Sequence, residues 1–319
     1  MDTERPSPRY ADIDMWEPGD VLDAMIEGQF AAVAAVRGAR GAIERAALAL
    51  EARLRAGGRL IYAGSGTSGR LAAQDGAELL PTFGWPADRV VILIAGGEKA
   101  LLQAVEGAED DIGDAHRLVQ HHRIGGEDAL IAVAASGTTP FTLACLEQAR
   151  AQGALAIAIA NNADTPLLKA ADHAIWLDSG PEPIAGSTRI KAGTAQRIAL
   201  GLLSSLAMIR LGRVHAGLMV DLQATNAKLA RRSEAILRQI SGRDGAEVRD
   251  ALDEAEGRVK LAALVLHGLT LSEAAVLLDQ SEGNLRTALA RLAAQSGADI
   301  DRPDPPLDGS DQTRTGGRS

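Results

Sequence analysis

The chain carries a series of short apolar runs that do not alternate with polar residues, at 59–63, 89–95, 129–135, 154–160 and 174–177. A strand with one wet face alternates, whereas a strand covered on both faces reads as continuous Val, Ile, Leu and Ala. Stretches of helical periodicity separate the runs, at 69–78, 98–105, 111–121, 140–152 and 165–171. Strand alternating with helix implies crossover connections between parallel strands. The expected core is an α/β, flavodoxin-like three-layer sandwich: a parallel five-stranded sheet with helices on both faces.

Two of the runs end in the same kind of turn. The first passes into Gly64-Ser65-Gly66-Thr67-Ser68 and then a helical pattern; the third passes into Ser136-Gly137-Thr138-Thr139, with Pro140 placed to open a helix. Glycines let the backbone approach a ligand, and the hydroxyls, the free N–H groups and the positive end of the following helix all favour an anion. One such turn is common in α/β proteins. Two in one sheet point to one phosphate-bearing ligand held from two sides, with Ser65, Gly66, Thr67, Ser68, Ser136, Gly137, Thr138 and Thr139 as its contacts.

The remaining sequence sets boundaries. Residues 1–19 are polar and Pro-rich and read as an arm rather than a folded unit. Helical periodicity from 20 to 55 leads into the sheet, so one α/β domain with leading helices is expected over 20–213. Helical patterns at 220–240, 246–266, 272–279 and 282–294 make a C-terminal helical unit over 214–298, and the tail 299–319 has a disordered composition.

Aromatic residues are only 3% and the net charge is −9, with no basic cluster, so a nucleic-acid partner is not expected. The start MDTERPSPRY lacks the basic and apolar regions of a signal peptide, and no apolar run reaches the ~20 residues that span a bilayer. A cytoplasmic protein without a membrane partner is the expectation. Cys145, the one cysteine, lies in the apolar FTLACLEQAR and reads as a core thiol. The histidines show no metal-ligand spacing, so neither zinc nor another metal is expected.

Four blocks carry a resemblance: LIYAGSGTSGR (60–70), IAGGEKALLQAVEGAED (94–110), AASGTTP (134–140) and PEPIAGSTRIKAGTAQR (181–197). With MVDLQATNAKL (219–229), they make the chain similar to the sugar isomerase (SIS) domain proteins. Within that group it resembles the N-acetylmuramic acid 6-phosphate etherases, whose signature also appears in the vertebrate glucokinase regulatory protein. The third block is general to SIS domains; the second and fourth are specific. This chain departs from the family's pattern at Arg197, where Lys is frequent, at Leu79-Leu80, where Cys-Pro is, and at Asn161-Asn162-Ala163, where Cys-Asn-Pro is. The N-terminal arm matches poorly.

The resemblance implies a cofactor-free lyase acting on a small amino sugar phosphate in cell-wall sugar recycling, with Glu78 and Glu109 as its catalytic pair. An alkoxide leaves the sugar C3 poorly, but ring opening to the C1 aldehyde makes the C2 proton acidic and places the C3 ether β to it. Elimination then needs a base at C2–H and an acid at the ether oxygen, each contributing about 10²–10⁴-fold. Glu78, read as the last turn of its helix beside Asp75 and apolar neighbours, is the expected acid. Glu109, heading Glu109-Asp110-Asp111 before a helix, is the expected base.

Ser187, Thr188, Arg189 and Lys191 offer hydroxyls and cations for the phosphate or the lactyl carboxylate. Glu98 follows Gly96-Gly97 at a strand end and is expected to line the pocket. Asn226 and Lys228 carry the match by position and receive no role. An unbroken helix from Thr67 to Glu78 would separate its ends by ~16 Å, so either Gly76 breaks the helix or a second subunit supplies Glu78. A homodimer with its site near the interface is the expectation. Two alternatives stay open: a phosphosugar isomerase, which needs no acid at a C3 ether, and a non-catalytic sugar-phosphate sensor, which needs no glutamate pair.

Overall fold

A computed structural model describes residues 1–222 and 227–296. The tail from 299 and residues 223–226 of the MVDLQATNAKL block, Asn226 included, lie outside the described residues. Five parallel strands form the central sheet: β1 (Leu60–Gly64), β2 (Val90–Ile94), β3 (Ala129–Val133), β4 (Leu155–Ala160) and β5 (His173–Trp176), in the order β2-β1-β3-β4-β5. Each expected run forms a strand in this sheet.

Alternation along each strand feeds two cores. On one face, Leu60 and Tyr62 pack with α1 (Pro18–Gly38), α2 (Arg40–Arg55), α3 (Gly66–Phe83) and the later helix Lys191–Arg210. On the other, Ile61 and Ala63 pack with α4 (Ile112–His121), α5 (Pro140–Ala151) and α6 (Pro166–Ala170). The three-layer sandwich is therefore present, and each large side chain buried in it contributes about 1.5–3 kcal/mol. Cys145 is fully buried on α5, where burial pushes its thiol well up, in keeping with a core thiol.

The helix Lys191–Arg210, α7, is long and apolar enough to cross a bilayer by length and composition, contrary to the expectation that no run is. It packs instead against α1, α2 and α3 as the central helix of its layer.

Further expectations are corrected. Helix α3 does not break at Gly76 or stop before Pro81; it runs to Phe83, and Gly84 at φ +59° closes it. Gly76 is small because the sheet presses on it, a β-carbon there lying 2.9 Å from Ile92 Cδ1. Residues 98–105 form only the one-turn helix Glu98–Leu101; Leu102 is exposed, and Val105 turns back against Gly96.

The N-terminal arm carries one-turn helices at Asp2–Glu4, Pro8–Tyr10 and Ile13–Met15 and is anchored by a fully buried Thr3. The C-terminal unit opens with a hairpin, β6 (Val214–His215) and β7 (Leu218–Met219), rather than a helix. Its helices α8 (Ala227–Ser241), α9 (Ala246–Glu254), α10 (Val259–Leu266), α11 (Leu271–Gln280) and α12 (Leu285–Ser296) share a third core around Leu237, Val248 and Leu264. The expected helix 246–266 divides at Glu256 and Gly257, both at positive φ.

Candidate functional site

The strand order reverses between β1 and β3, and open α/β sheets bind ligands outside the carboxyl ends of the strands at such a point. Both hydroxyl turns lie there, because Gly64 and Val133, the last residues of β1 and β3, are paired in register. Ser65 is the N-cap of α3 and Thr139 the N-cap of α5, and neither side chain caps its own helix. The first-turn N–H groups of both helices are left to an outside acceptor.

The first turn is tight because two glycines meet in it. A β-carbon on Gly69 would lie 2.8 Å from the Gly64 carbonyl oxygen, so only glycine lets α3 start this close to β1. In the second turn, Ser136 Oγ accepts from the Thr138 N–H at 3.2 Å and lies 3.3 Å from Thr139 Oγ1. Gly137 has φ +69°, and a β-carbon there would lie 2.3 Å from Thr165 Oγ1 at the start of α6.

Ser68 is buried, and its hydroxyl donates to Gln196 Oε1 at 2.9 Å. Gln196 Nε2 donates in turn to Asn161 Oδ1 at 2.8 Å, and Asn161 Nδ2 donates to the Leu177 carbonyl and to Ser179 Oγ, both at 3.2 Å. This chain of amides ties the first turn through α7 to the ends of β4 and β5. Ser68 therefore acts within the framework of the site. Gln196 was not singled out in the sequence; its only signal is a lone amide in the apolar run of α7.

Glu182 was also missed. It is 1% exposed, and its carboxylate accepts from the Lys191 N–H at 2.9 Å and the Ala192 N–H at 2.8 Å. The start of α7 thus has an internal anion on it. Lys191 is 5% exposed, and among the described residues its ammonium forms no ion pair. Burial lowers its pKa; Glu182 and Asp178 pull it back up, and Arg9 lowers it further. An ammonium withdrawn from water without a bonded carboxylate is suited to a substrate anion. Ser187 and Thr188 are half-buried before it, whereas Arg189 is exposed.

The segment after β2 carries Glu98 and Glu109, both exposed. Arg70 of α3 fastens it, with Nε donating to the Ala100 carbonyl at 2.8 Å and Nη2 to the Gln103 carbonyl at 3.0 Å. Glu109 lies in the one-turn helix Ala108–Asp110, just before Asp111, whose carboxylate caps α4 at the Asp114 N–H. Ala108 packs on the α5 face of the sheet. Glu109 is thereby held alongside the helix that opens the second hydroxyl turn.

Glu78 stands apart. It is exposed on α3, about 18 Å along the axis from Gly66, and not in the helix's last turn as expected. Its neighbour Asp75 faces inward, where Oδ2 accepts from the Tyr62 hydroxyl at 2.6 Å and Oδ1 from the Ser204 hydroxyl at 3.2 Å. Burial raises the Asp75 pKa, while those two bonds and the Arg197 charge pull it down. One chain therefore gathers the two turns, Lys191 and Glu109 at a single edge, and leaves Glu78 away from it.

The family model for the glucokinase regulatory protein N-terminal SIS domain matches residues 42–150, and that for the SIS domain matches 99–206. A Deinococcus radiodurans protein named N-acetylmuramic acid 6-phosphate etherase is 50% identical over 288 residues, covering 90% of this chain and 94% of its own. An Edwardsiella ictaluri protein of the same name is 43% identical over 290 residues, 91% of this chain and 97% of its own. Among solved structures, a phosphoheptose isomerase from Francisella tularensis covers 61% of this chain and 100% of its own at 20% identity and TM-score 0.46.

Proposed function

The chain belongs to the N-acetylmuramic acid 6-phosphate etherase family, and from that premise we propose that it cleaves the D-lactyl ether of N-acetylmuramic acid 6-phosphate, giving N-acetylglucosamine 6-phosphate and D-lactate. The 6-phosphate lies between the turns Ser65–Ser68 and Ser136–Thr139, on the free N–H groups of α3 and α5. In the open-chain sugar, Glu109 takes the C2 proton and Glu78 protonates the departing lactyl oxygen; water then adds at C3 with the roles reversed. Lys191, with Ser187, Thr188 and Arg189, meets the remaining anion, and Glu98 lines the wall. No cofactor is needed, and the setting is cytoplasmic recovery of cell-wall amino sugars.

The observation that carries this reading is the place of Glu109, on a segment fastened by Arg70 and packed beside the helix that opens the second turn. Glu78 reaches a site only across a subunit boundary, since α3 is unbroken and a hexose phosphate is shorter than the separation. The surface supports self-association. Leu22, Ile26, Phe30 and Val33 form an exposed row on α1, with Phe30 71% exposed. Beside it, α1, α2 and α7 border an apolar groove of about 910 Å³ that includes Leu48, Leu202 and Ile209. Rows of this kind mark association surfaces. We assign the face to a second copy of the chain, in a homodimer whose partner subunit supplies the glutamate on α3.

Incubation with N-acetylmuramic acid 6-phosphate in H₂¹⁸O tests the chemistry. D-lactate release with ¹⁸O at C3 of the sugar, abolished in Glu78→Ala and Glu109→Ala, is expected. Sugar-phosphate binding with no lactate from the folded wild type would reject the etherase and leave a sensor; conversion of one phosphosugar to another would leave an isomerase.

A further inference from the structure

We propose that the N-terminal arm is part of the substrate site, with Thr3 as the positioning residue that locks the second hydroxyl turn to the loop before α7. The inference rests on reading this edge of the sheet as the sugar-phosphate site. Thr3 is fully buried in an arm that is otherwise largely open to solvent. Its N–H donates to Asn162 Oδ1 at 3.3 Å, and its Oγ1 accepts from Asn162 Nδ2 at 2.9 Å. This reciprocal pair fixes which way the amide faces.

The same Nδ2 donates its second proton to the Ala135 carbonyl at 2.8 Å, one residue before Ser136. On the other side, the Thr3 carbonyl accepts from the Gly186 N–H at 3.1 Å, one residue before Ser187. Thr3 thus bridges two segments that are remote in sequence and that both face the substrate. A segment that loses its tie to the other samples further positions relative to it, and the ligand then bears the cost of ordering the two. That cost appears in binding. The bonds broken in the reaction lie elsewhere, so the chemical step is spared.

Thr3→Val keeps the shape and removes the oxygen that Asn162 Nδ2 needs; Thr3→Ser keeps the oxygen. Steady-state lactate release and calorimetric titration with N-acetylglucosamine 6-phosphate read the effect. In Thr3→Val, KM and the product Kd are expected to rise about tenfold while kcat stays within about threefold. Thr3→Ser should restore both constants to within about threefold of wild type. Removal of residues 1–16, which takes no other fully buried side chain with it but also takes the Thr3 carbonyl from the Gly186 N–H, should raise KM and Kd at least as far as Thr3→Val does, even if that variant folds poorly.

KM and Kd within about twofold of wild type in the valine and truncated proteins would overturn the inference. So would a lowered melting temperature as their sole defect. A wild type that binds the sugar phosphate but releases no lactate would defeat the etherase reading alone, and the titration would still decide the role of Thr3. A wild type that binds no sugar phosphate would defeat both.

Discussion

The Lys191 side chain runs across the bare face of Gly28, so closely that a β-carbon on residue 28 would lie 2.9 Å from Lys191 Cδ and 3.1 Å from Cγ. Glycine inside α1 costs helix stability, about 1 kcal/mol relative to alanine. Gly28→Ala therefore regains that amount and loses a similar one to crowding, leaving the melting temperature nearly unchanged. The displaced ammonium should raise KM about tenfold. An unaltered KM in a folded Gly28→Ala protein would remove Lys191 from the site.

Glu182 closes the start of α7 from inside the protein. Glu182→Ala leaves the Lys191 and Ala192 N–H groups without their acceptor and should cost about 2 kcal/mol. For a chain of 319 residues that is a fall of about 3 °C in melting temperature. It also takes away the larger of the two charges that raise the Lys191 pKa, so the ammonium should titrate lower still. Calorimetric melting checks the first effect. A variant melting with the wild type would show that solvent replaces the carboxylate.

Asp128 gives a dependence on acid. Burial pushes its carboxyl up, but hydrogen bonds from the Arg59 guanidinium and from the Gly125 and Arg59 N–H groups outweigh burial and hold it below the usual carboxylate value. The folded pKa is depressed, so the stability from this group is present above the unfolded value, near pH 4, and is lost as pH falls through the folded one. Asp128→Asn should cost about 2 kcal/mol at pH 7 and flatten the acid limb. Urea midpoints at pH 7 and pH 3 measure it; an equal gap between the proteins at both pH values would contradict the assignment.

The sheet and its two turns were legible in the sequence because both are local. A strand covered on both faces is written as a continuous apolar run, and a turn that brings a helix N-terminus close to its strand is written in Gly, Ser and Thr. The unread parts depend on distant partners. Nothing near Thr3 announces that it will meet Asn162, 159 positions away. Glu182 and Gln196 look like ordinary polar residues until the fold buries them. Gly76 read as a possible break because glycine disfavours helix, yet it is small for Ile92 and the helix runs on. That continuity changes where Glu78 stands.

The most direct test of the account mixes two inactive proteins. Glu78→Ala and Glu109→Ala are each expected to release no lactate as homodimers. If one site takes its acid from one subunit and its base from the other, exchange of subunits gives mixed dimers with one intact site and one doubly damaged site. Random exchange at equal concentrations should then recover about a quarter of wild-type lactate release. Activity that stays at the level of the two parent variants after subunit exchange has been demonstrated would contradict the shared site, and would place both glutamates in one chain.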